Sequence, residues 1–129
     1  MSDGRVTITV PDTPPSLNAF LKLHWAKRQR LKDEWQMRMR LELLKWGLPK
    51  DCDRIEAELA FQFPDRRRRD CDNLTATCSK FLGDALTPDF IADDNATRFW
   101  IRKSLILPET DAKATIITLD WWLSAAVAA

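Results

Sequence analysis

The sequence predicts a single α+β domain with a mixed sheet, and two kinds of periodicity lead to this class. Four segments alternate apolar and polar residues, as half-buried strands do. Two longer segments repeat apolar residues at helical spacing. In chain order the segments are strand, helix, strand, helix, strand and strand. We therefore expect a sheet with a C-terminal hairpin, packed by two helices.

Length and composition agree with this class. The chain has 129 residues, of which 45% are hydrophobic and 30% charged, so it is expected to form one domain, residues 1–129, with one core. Its last residues, 124–129, are small and expected to fray. No run approaches the roughly 18 apolar residues of a membrane span, and we expect no membrane partner.

The cysteines and the single histidine do not fit a structural zinc site. Cys52, Cys71 and Cys78 have none of the spacings of a zinc site. An odd number of cysteines without a secretory signal indicates a reducing compartment, so a cytoplasmic location is expected. Cys78 is expected to be a small core residue.

The first strand and first helix follow from residues 5–46. Val6, Ile8 and Val10 lie on one side of a strand that Pro11 stops. Either Ser16 or Asn18 could cap the helix that follows. The helix is predicted from about Ala19 to Trp46. Its apolar stripe consists of Leu31, Trp35, Met39, Leu43 and Trp46.

The start of this helix is basic and contains one tryptophan. Residues 24–30 read HWAKRQR, and loop and helix both remain open for them. Lys27 and Arg28 beside an exposed Trp25 would suit phosphate contact and base stacking. The alternative is a core Trp25 with solvated cations. His24 is a weak candidate for phosphate contact.

The remaining elements are two strands, a helix between them and a final strand. Residues 54–63 alternate cleanly and run into Pro64. A second helix is predicted from Cys71 or Asp72 to Leu86. Strands follow at residues 97–107 and 115–123. Phe99, Ile101, Leu105 and Leu107 are predicted on one face of the third strand. In the fourth, Ile116 and Trp122 lie on the second face, where a helix or a second subunit could cover them.

Charge changes abruptly between the second strand and the second helix. Arg66, Arg67, Arg68 and Arg69 precede Asp70 and Asp72. Arginine donors match phosphate oxygens, and paired carboxylates provide the oxygen ligands that Mg²⁺ requires. This stretch therefore predicts a site that binds both phosphate and a divalent metal. The alternative is an Arg-rich loop with an N-capping aspartate.

A second acidic cluster follows the second helix. Asp93 and Asp94 begin the third strand, and Asp94 could meet Asp70 and Asp72 if residues 87–92 carry the chain back. Three converging carboxylates would permit two Mg²⁺ ions about 4 Å apart. The alternative is an ordinary turn cluster.

These motifs together resemble a known family. The block PDRRRRDCDNL at residues 64–74, Asp84-Ala85-Leu86, and Asp93-Asp94 are similar to the RusA family of Holliday-junction resolvases, which are mostly phage- or prophage-encoded. The N-terminal Pro14-Pro15-Ser16-x-Asn18 and His24-Trp25-x-Lys27-Arg28 resemble it more weakly. The resemblance covers residues 5–120.

The resemblance implies a homodimer that binds four-way junction DNA. It implies paired phosphodiester cuts in DNA recombination and repair, with Mg²⁺, or Mn²⁺, held by Asp70, Asp72 and Asp94 rather than Asp93. DNA would be bound by the arginines at 66–69, Lys27, Arg28 and Asn73. The setting would be the cytoplasm of a bacterial or phage-infected cell.

One position departs from the family pattern. The family lysine one helical turn after the second aspartate is Ala76 here. Lys80, a further turn along, is a candidate substitute for that catalytic residue. The substitution leaves two alternatives open: a DNA-binding module with weakened catalysis, and a less selective nuclease acting on flaps or forks.

Overall fold

The computed structural model describes residues 1–124 and confirms the fold class, a single α+β domain with a four-stranded mixed sheet and three helices. The elements in chain order are β1 (Gly4–Val10), α1 (Leu17–Leu21), α2 (Trp25–Lys45), β2 (Cys52–Gln62), α3 (Cys71–Leu86), β3 (Phe99–Leu107) and β4 (Ala114–Leu123). The fraying predicted for residues 124–129 concerns positions that, apart from Ser124, lie outside the described part of the chain.

The sheet has the strand order β1-β4-β2-β3. Strand β4 is antiparallel to both β1 and β2, whereas β3 is parallel to β2. The last two strands therefore differ from the predicted hairpin, because β2 lies between them. Residues 108–113 cross the end of β2, where the Thr110 N–H donates to the Phe63 carbonyl at 3.0 Å. A hairpin-length loop can cover the roughly 10 Å between alternate strands.

The predicted first helix is divided into two, which accounts for the third helix. The Ser16 hydroxyl accepts from the Ala19 N–H at 3.2 Å and caps α1, so the cap is Ser16 rather than Asn18. His24 then caps α2, with its Nδ1 accepting from the Ala26 N–H at 3.3 Å. The basic segment is thus helical from Trp25, and the histidine has a structural role as the N-cap of α2, while its phosphate contact stays a prediction.

The core lies between the helices and one face of the sheet. Helix α2 packs on β1, and α3 packs on β3 and α2. The predicted stripe of α2 is buried at Trp35, Met39 and Leu43, whereas Trp46, also predicted on this stripe, is 57% exposed. Cys78 of α3 is fully buried, as predicted, and burial raises the pKa of its thiol to about 12. One layer of helices on one sheet face is sufficient for a core of this size.

A β-bulge changes the predicted inward face of β3. Ala57 of β2 pairs with Ile101, but the next residue, Glu58, pairs with Lys103. Arg102 is therefore the extra residue, and side-chain parity reverses after it. Ile106 packs against the core. The prediction that Leu105 and Leu107 share a face with Ile101 was wrong for this reason.

The second sheet face carries an ion-pair network. Asp120 accepts from Arg5 Nε at 2.8 Å and from Arg102 Nη2 at 2.6 Å, and its side chain is 4% exposed. The arginines, Arg5 first, lower the pKa of Asp120 to about 2 against the opposing effect of desolvation. Trp122 lies on this face under the Arg54 guanidinium, 3.8 Å from its ring centroid. An arginine of the same chain thus covers it, rather than a helix.

Candidate functional site

The two aspartates predicted to bind metal lie where β2 has ended and α3 begins. Asp70 is the N-cap of α3, and its Oδ1 accepts from the Asp72 and Asn73 N–H groups at 3.0 and 3.4 Å. The Asn73 side-chain amide donates to the other carboxylate oxygen at 3.0 Å. Asp70 is therefore the N-capping aspartate that was considered as the alternative to a metal ligand. Asn73, which was predicted to contact DNA, orients the Asp70 carboxylate.

Capping does not use up the acceptor capacity of Asp70. An ionised carboxylate has about four lone-pair sites, and the three donors around Asp70 leave room for one more ligand. Asp72 is exposed, and its carboxylate forms no ion pair or hydrogen bond within residues 1–124. The pair thus presents one held and one unpartnered carboxylate to solvent.

The four arginines divide into two that are engaged and two that are not. Arg69 pairs with Asp65 at 2.8 Å and stacks on Phe63, with its guanidinium carbon 3.6 Å from the ring centroid. Arg66 pairs with Glu109 at 2.5 Å. The side chains of Arg67 and Arg68 form no ion pair in the described part of the chain. Arg67 and Arg68 are thus the two guanidinium groups of this run without an ion pair among residues 1–124, and phosphate contact by all four arginines stays a prediction.

Asp65 organises the turn that presents these arginines. Its Oδ1 accepts from the Arg67 N–H at 2.9 Å as well as from Arg69. The hydrogen bond from Arg69, followed by that from the Arg67 backbone, lowers the pKa of Asp65 below its ordinary value. The carboxylate therefore stays ionised at neutral pH and holds the loop in a turn that directs Arg67 and Arg68 outward.

Asp94 does not join Asp70 and Asp72 within one chain. It packs on the far half of α3, where a Cβ added to Gly83 would lie 2.7 Å from the Asp94 Oδ2. Gly83 is 11 residues beyond Asp72, which is about 16 Å along the helix axis. No group of three metal-ligating side chains occurs among residues 1–124. The predicted convergence fails because residues 87–92 do not return to the start of α3.

The loop around Asp94 has the features of an ordinary turn cluster. Asn95 Oδ1 accepts from the Thr97 N–H and hydroxyl, at 3.0 and 2.5 Å. The Asn95 carbonyl accepts from the N–H groups of Arg98 and Phe99, both at 3.0 Å. These bonds fix the entry into β3, while Asp93 and Asp94 remain exposed. The local hydrogen bonding of this segment is thus that of an ordinary turn cluster, which was the alternative to a metal site.

The predicted cations of α2 and α3 meet in a cleft away from the aspartates. The cleft, of about 230 Å³, is lined by Trp25 and Arg28 of α2 and by Lys80 of α3, together with Lys32. Lys27 is exposed nearby on α2. Lys80 lies eight residues beyond Asp72, about 12 Å along the axis. It therefore belongs to this cleft rather than to the carboxylate pair.

Lys32, a charged residue in the lining of the cleft, was not singled out from the sequence as a site residue. Lys32 is four residues after Arg28 and so lies on the same helix face, which is a signal the sequence contained. Its Nζ is 3.0 Å from Asp84 Oδ2, and Gln36 donates to the same oxygen at 3.2 Å. Asp84, part of the family-like motif, therefore joins α3 to α2.

The aspartate pair suits Mg²⁺ by the chemistry of its donors. Mg²⁺ in proteins is usually held by one or two carboxylates, several waters and substrate phosphates. Asp70 and Asp72 supply the carboxylates, and Arg67 and Arg68 are placed to attract a phosphate. A preformed site for two ions would need a third carboxylate, and no aspartate or glutamate of residues 1–124 completes such a group at the start of α3.

Comparison with known proteins adds no assignment. Neither a scan against protein-family models nor a search of the curated proteins finds a match for this chain. In residues 1–124 no helix is both long enough and apolar enough to cross a bilayer.

Proposed function

We propose that this protein is a Mg²⁺-dependent endodeoxyribonuclease that cuts four-way DNA junctions, as its resemblance to the RusA family implies. One observation carries the proposal. Asp70 and Asp72 lie at the exposed start of α3, shortly after Arg67 and Arg68, and within residues 1–124 neither arginine nor Asp72 forms an ion pair. A carboxylate pair beside free guanidinium groups complements a phosphodiester and a divalent cation at once.

The chain's own residues would divide the work. Arg67 and Arg68 would bind the phosphates that flank the scissile bond, and bidentate contacts would fix their orientation. Asp70 and Asp72 would hold Mg²⁺, with Asn73 keeping the Asp70 carboxylate in place. When bound, Mg²⁺ polarises the phosphoryl group and lowers the pKa of water. The cap of α3 keeps both aspartates on a rigid element, which favours precise positioning.

The proposal includes a homodimer, and the position of Asp94 gives that dimer a role. Within one chain Asp94 lies about 16 Å along α3 from Asp72. Two α3 helices related by a twofold axis and packed antiparallel would bring the far half of one helix to the start of the other. Asp94 of a second copy would then complete each carboxylate cluster. Two equivalent sites also suit the near-twofold symmetry of a four-way junction.

The decisive experiment compares cutting and binding of a synthetic four-way junction by Asp72→Asn. Within residues 1–124 the Asp72 carboxylate bonds no other side chain, so the variant should fold normally. We expect Mg²⁺-dependent cutting to fall by at least about 100-fold, while junction binding is kept or tightened because a negative charge is removed. Loss of binding together with cutting, in a folded variant, would contradict the assigned role.

Two further variants sharpen this comparison. Asp70→Asn keeps a good N-cap and should also lose cutting without losing stability. Asp93→Asn is the matched control, since Asp93 is an exposed neighbour of Asp94 and should cut as the unmodified protein does. Parallel assays on forks and linear duplex test the less selective flap or fork nuclease. Equal cutting of all three substrates would favour that nuclease.

A second candidate is a junction-binding module without catalysis. Two observations favour it: Ala76 occupies the position of the lysine in the family that the sequence resembles, and residues 1–124 of one chain do not bring three carboxylates together. Such a protein would bind junctions at all metal concentrations and cut none with either Mg²⁺ or Mn²⁺. The same cleavage assay on the unmodified protein therefore separates the two functions.

A further inference from the structure

The cleft between α1, α2 and α3 is built by an aromatic contact. Phe20 of α1 is buried and packs edge-to-face on Phe81 of α3, with ring centroids 5.4 Å apart. Phe81 in turn stacks on Trp35 of α2 at 5.9 Å. These rings hold the three helices together at one point. The cleft of about 230 Å³ opens beside it, with Phe20 in its lining and Trp25 at its side.

Trp25 is exposed at the start of α2, whereas Trp35, farther along the same helix, is buried in the core. Its side chain is 69% exposed, against 2% for Trp35. Its ring contacts the His24 ring, with centroids 5.5 Å apart and planes tilted by 37°. His24 is held in turn by its capping bond to α2. The indole is thus oriented by a fixed neighbour and leaves much of its surface free, which is the form of a stacking platform.

The cleft also carries positive charge that the protein does not neutralise. Lys32 is paired with Asp84, but neither Arg28 nor Lys80 forms an ion pair with any residue between 1 and 124. The Lys80 Nζ lies 5.9 Å from the Phe20 ring centroid, and both residues line the cleft. Two free cations beside an exposed indole complement an anion joined to a flat aromatic ring.

We propose that this cleft binds one unpaired nucleobase of DNA, stacked on Trp25, with its adjoining phosphate held by Arg28 and Lys80. The inference deepens the proposed function and rests on it for the choice of DNA. The volume is below the roughly 300–1,000 Å³ of pockets for drug-sized ligands, which suits one ring system. A paired base is covered on both faces in the duplex, so only an unpaired one can reach the indole.

The position of the cleft relates it to the aspartates. Lys80 lies about 12 Å along α3 from Asp72, or between three and four steps of about 3.4 Å along a DNA strand. A strand that passes Asp72 could thus place a base in the cleft a few nucleotides away. Bases near the centre of a four-way junction are the ones most readily unpaired, so the cleft would favour branched DNA over linear duplex.

The test measures binding of a labelled short oligothymidylate by fluorescence anisotropy, in buffer with a chelator and no Mg²⁺. Trp25→Ala should weaken binding by about 5- to 150-fold, the usual effect of losing one stacked base, and Trp25→Phe should restore most of it. Lys80→Ala should weaken binding and reduce its salt dependence. Both positions are exposed, and thermal unfolding checks that each variant folds.

Trp46 provides a matched control. It is 57% exposed, with Lys45 Nζ 5.5 Å from its ring centroid, and it lies at the opposite end of α2, about 30 Å away. Trp46→Ala should leave oligothymidylate binding within twofold. Equal losses for Trp25→Ala and Trp46→Ala, or no binding by the unmodified protein, would overturn the cleft.

Failure of this inference is distinguishable from failure of the nuclease proposal. If the unmodified protein cuts junctions but Trp25→Ala binds single strands unchanged, the cleft is refuted and the nuclease stands. If Trp25→Ala and Lys80→Ala lose single-strand binding while the unmodified protein does not cut junctions, the base-binding cleft is supported and the nuclease proposal is refuted. Selective loss at Trp25 together with junction cutting supports both.

Discussion

At the scale of single residues, the same type of side chain has different roles according to its partners. Asp70 caps a helix, and Asp65 fixes a turn with Arg69. The Asp72 carboxylate bonds no side chain in the part of the molecule that the structure describes. Asp120 is the extreme case, almost fully buried between two arginines on the sheet. Of these carboxylates Asp72 is free for a ligand, so the candidate site follows from what each aspartate is already bonded to.

Asp120 should make folding stability depend on pH. Its folded pKa of about 2 is below the ordinary value of about 3.9, so the ionised form stabilises the fold above about pH 4. That contribution is lost as pH falls toward 2. We expect Asp120→Asn to lower the free energy of unfolding by about 1–2 kcal/mol at pH 7. The difference from the unmodified protein should shrink below about pH 4.

Urea unfolding of both proteins across this pH range measures the effect. Asp111→Asn, in the exposed loop before β4, is the control and should differ little from the unmodified protein at any pH. If the two proteins differed by the same free energy of unfolding from pH 7 to pH 3, the ion pairs of Asp120 with the arginines would not be the cause of the difference.

At the scale of elements, sequence predicted most of the fold because local signals agreed. The alternating run before Pro64 gave β2, and the aspartates after the arginines gave the start of α3. Three features were missed because each depends on tertiary contacts. The insertion of β2 between the last strands, the bulge at Arg102 and the division of the first helix at His24 have no local signature.

The candidate site was predictable to a similar extent. Asp70 and Asp72 were placed correctly at the strand–helix junction, since neighbours in sequence remain neighbours in space. Asp94 was not, because its position depends on how residues 87–92 fold. Nor could the sequence reveal that Arg66 and Arg69 are engaged by Glu109 and Asp65. Pairing of exposed charges depends on loop geometry rather than on composition.

Helix α3 offers a test of the position of Asp94. Gly83 is in the helix interior, where alanine is favoured by about 1 kcal/mol. A Cβ there would be 2.7 Å from Asp94 Oδ2 and 3.3 Å from its Cβ, so Gly83→Ala must move the aspartate. We expect unchanged or slightly higher thermal stability, but junction cutting reduced at least about tenfold.

Ser79→Ala, also on α3, is the control for helix propensity alone. It should keep full cutting, because no hydrogen bond joins Ser79 to Asp94 in the described residues. If Gly83→Ala cuts normally while remaining folded, the precise placement of Asp94 is irrelevant to the reaction, and a two-carboxylate site is the better description.

At the scale of the whole molecule, the separation of Asp72 and Asp94 predicts complementation between copies. If each site combines Asp72 of one chain with Asp94 of the other, Asp72→Asn and Asp94→Asn should each be inactive alone. Mixed dimers then contain one intact site and one doubly altered site. Cutting should reappear on mixing, at roughly a quarter of the original level for random exchange, and mainly as single-strand nicks.

A site within one chain gives the opposite result, because every site in a mixed dimer keeps one alteration. Junction cleavage after unfolding and refolding the two variants together distinguishes these cases, with separately refolded variants as the control. No recovery of cutting, with dimers present by sedimentation, would place Asp94 outside the shared site.

The bulge at Arg102 also determines how β3 tolerates changes in its length. Because Arg102 is the unpaired residue, deletion of Arg102 would leave Lys103 opposite Glu58 and keep Ile106 on the core face. Deletion of both Arg102 and Lys103 would instead place Ser104 directly after Ile101 and turn Ile106 toward solvent. At this point of β3, loss of two residues would therefore be far more disruptive to the core than loss of one.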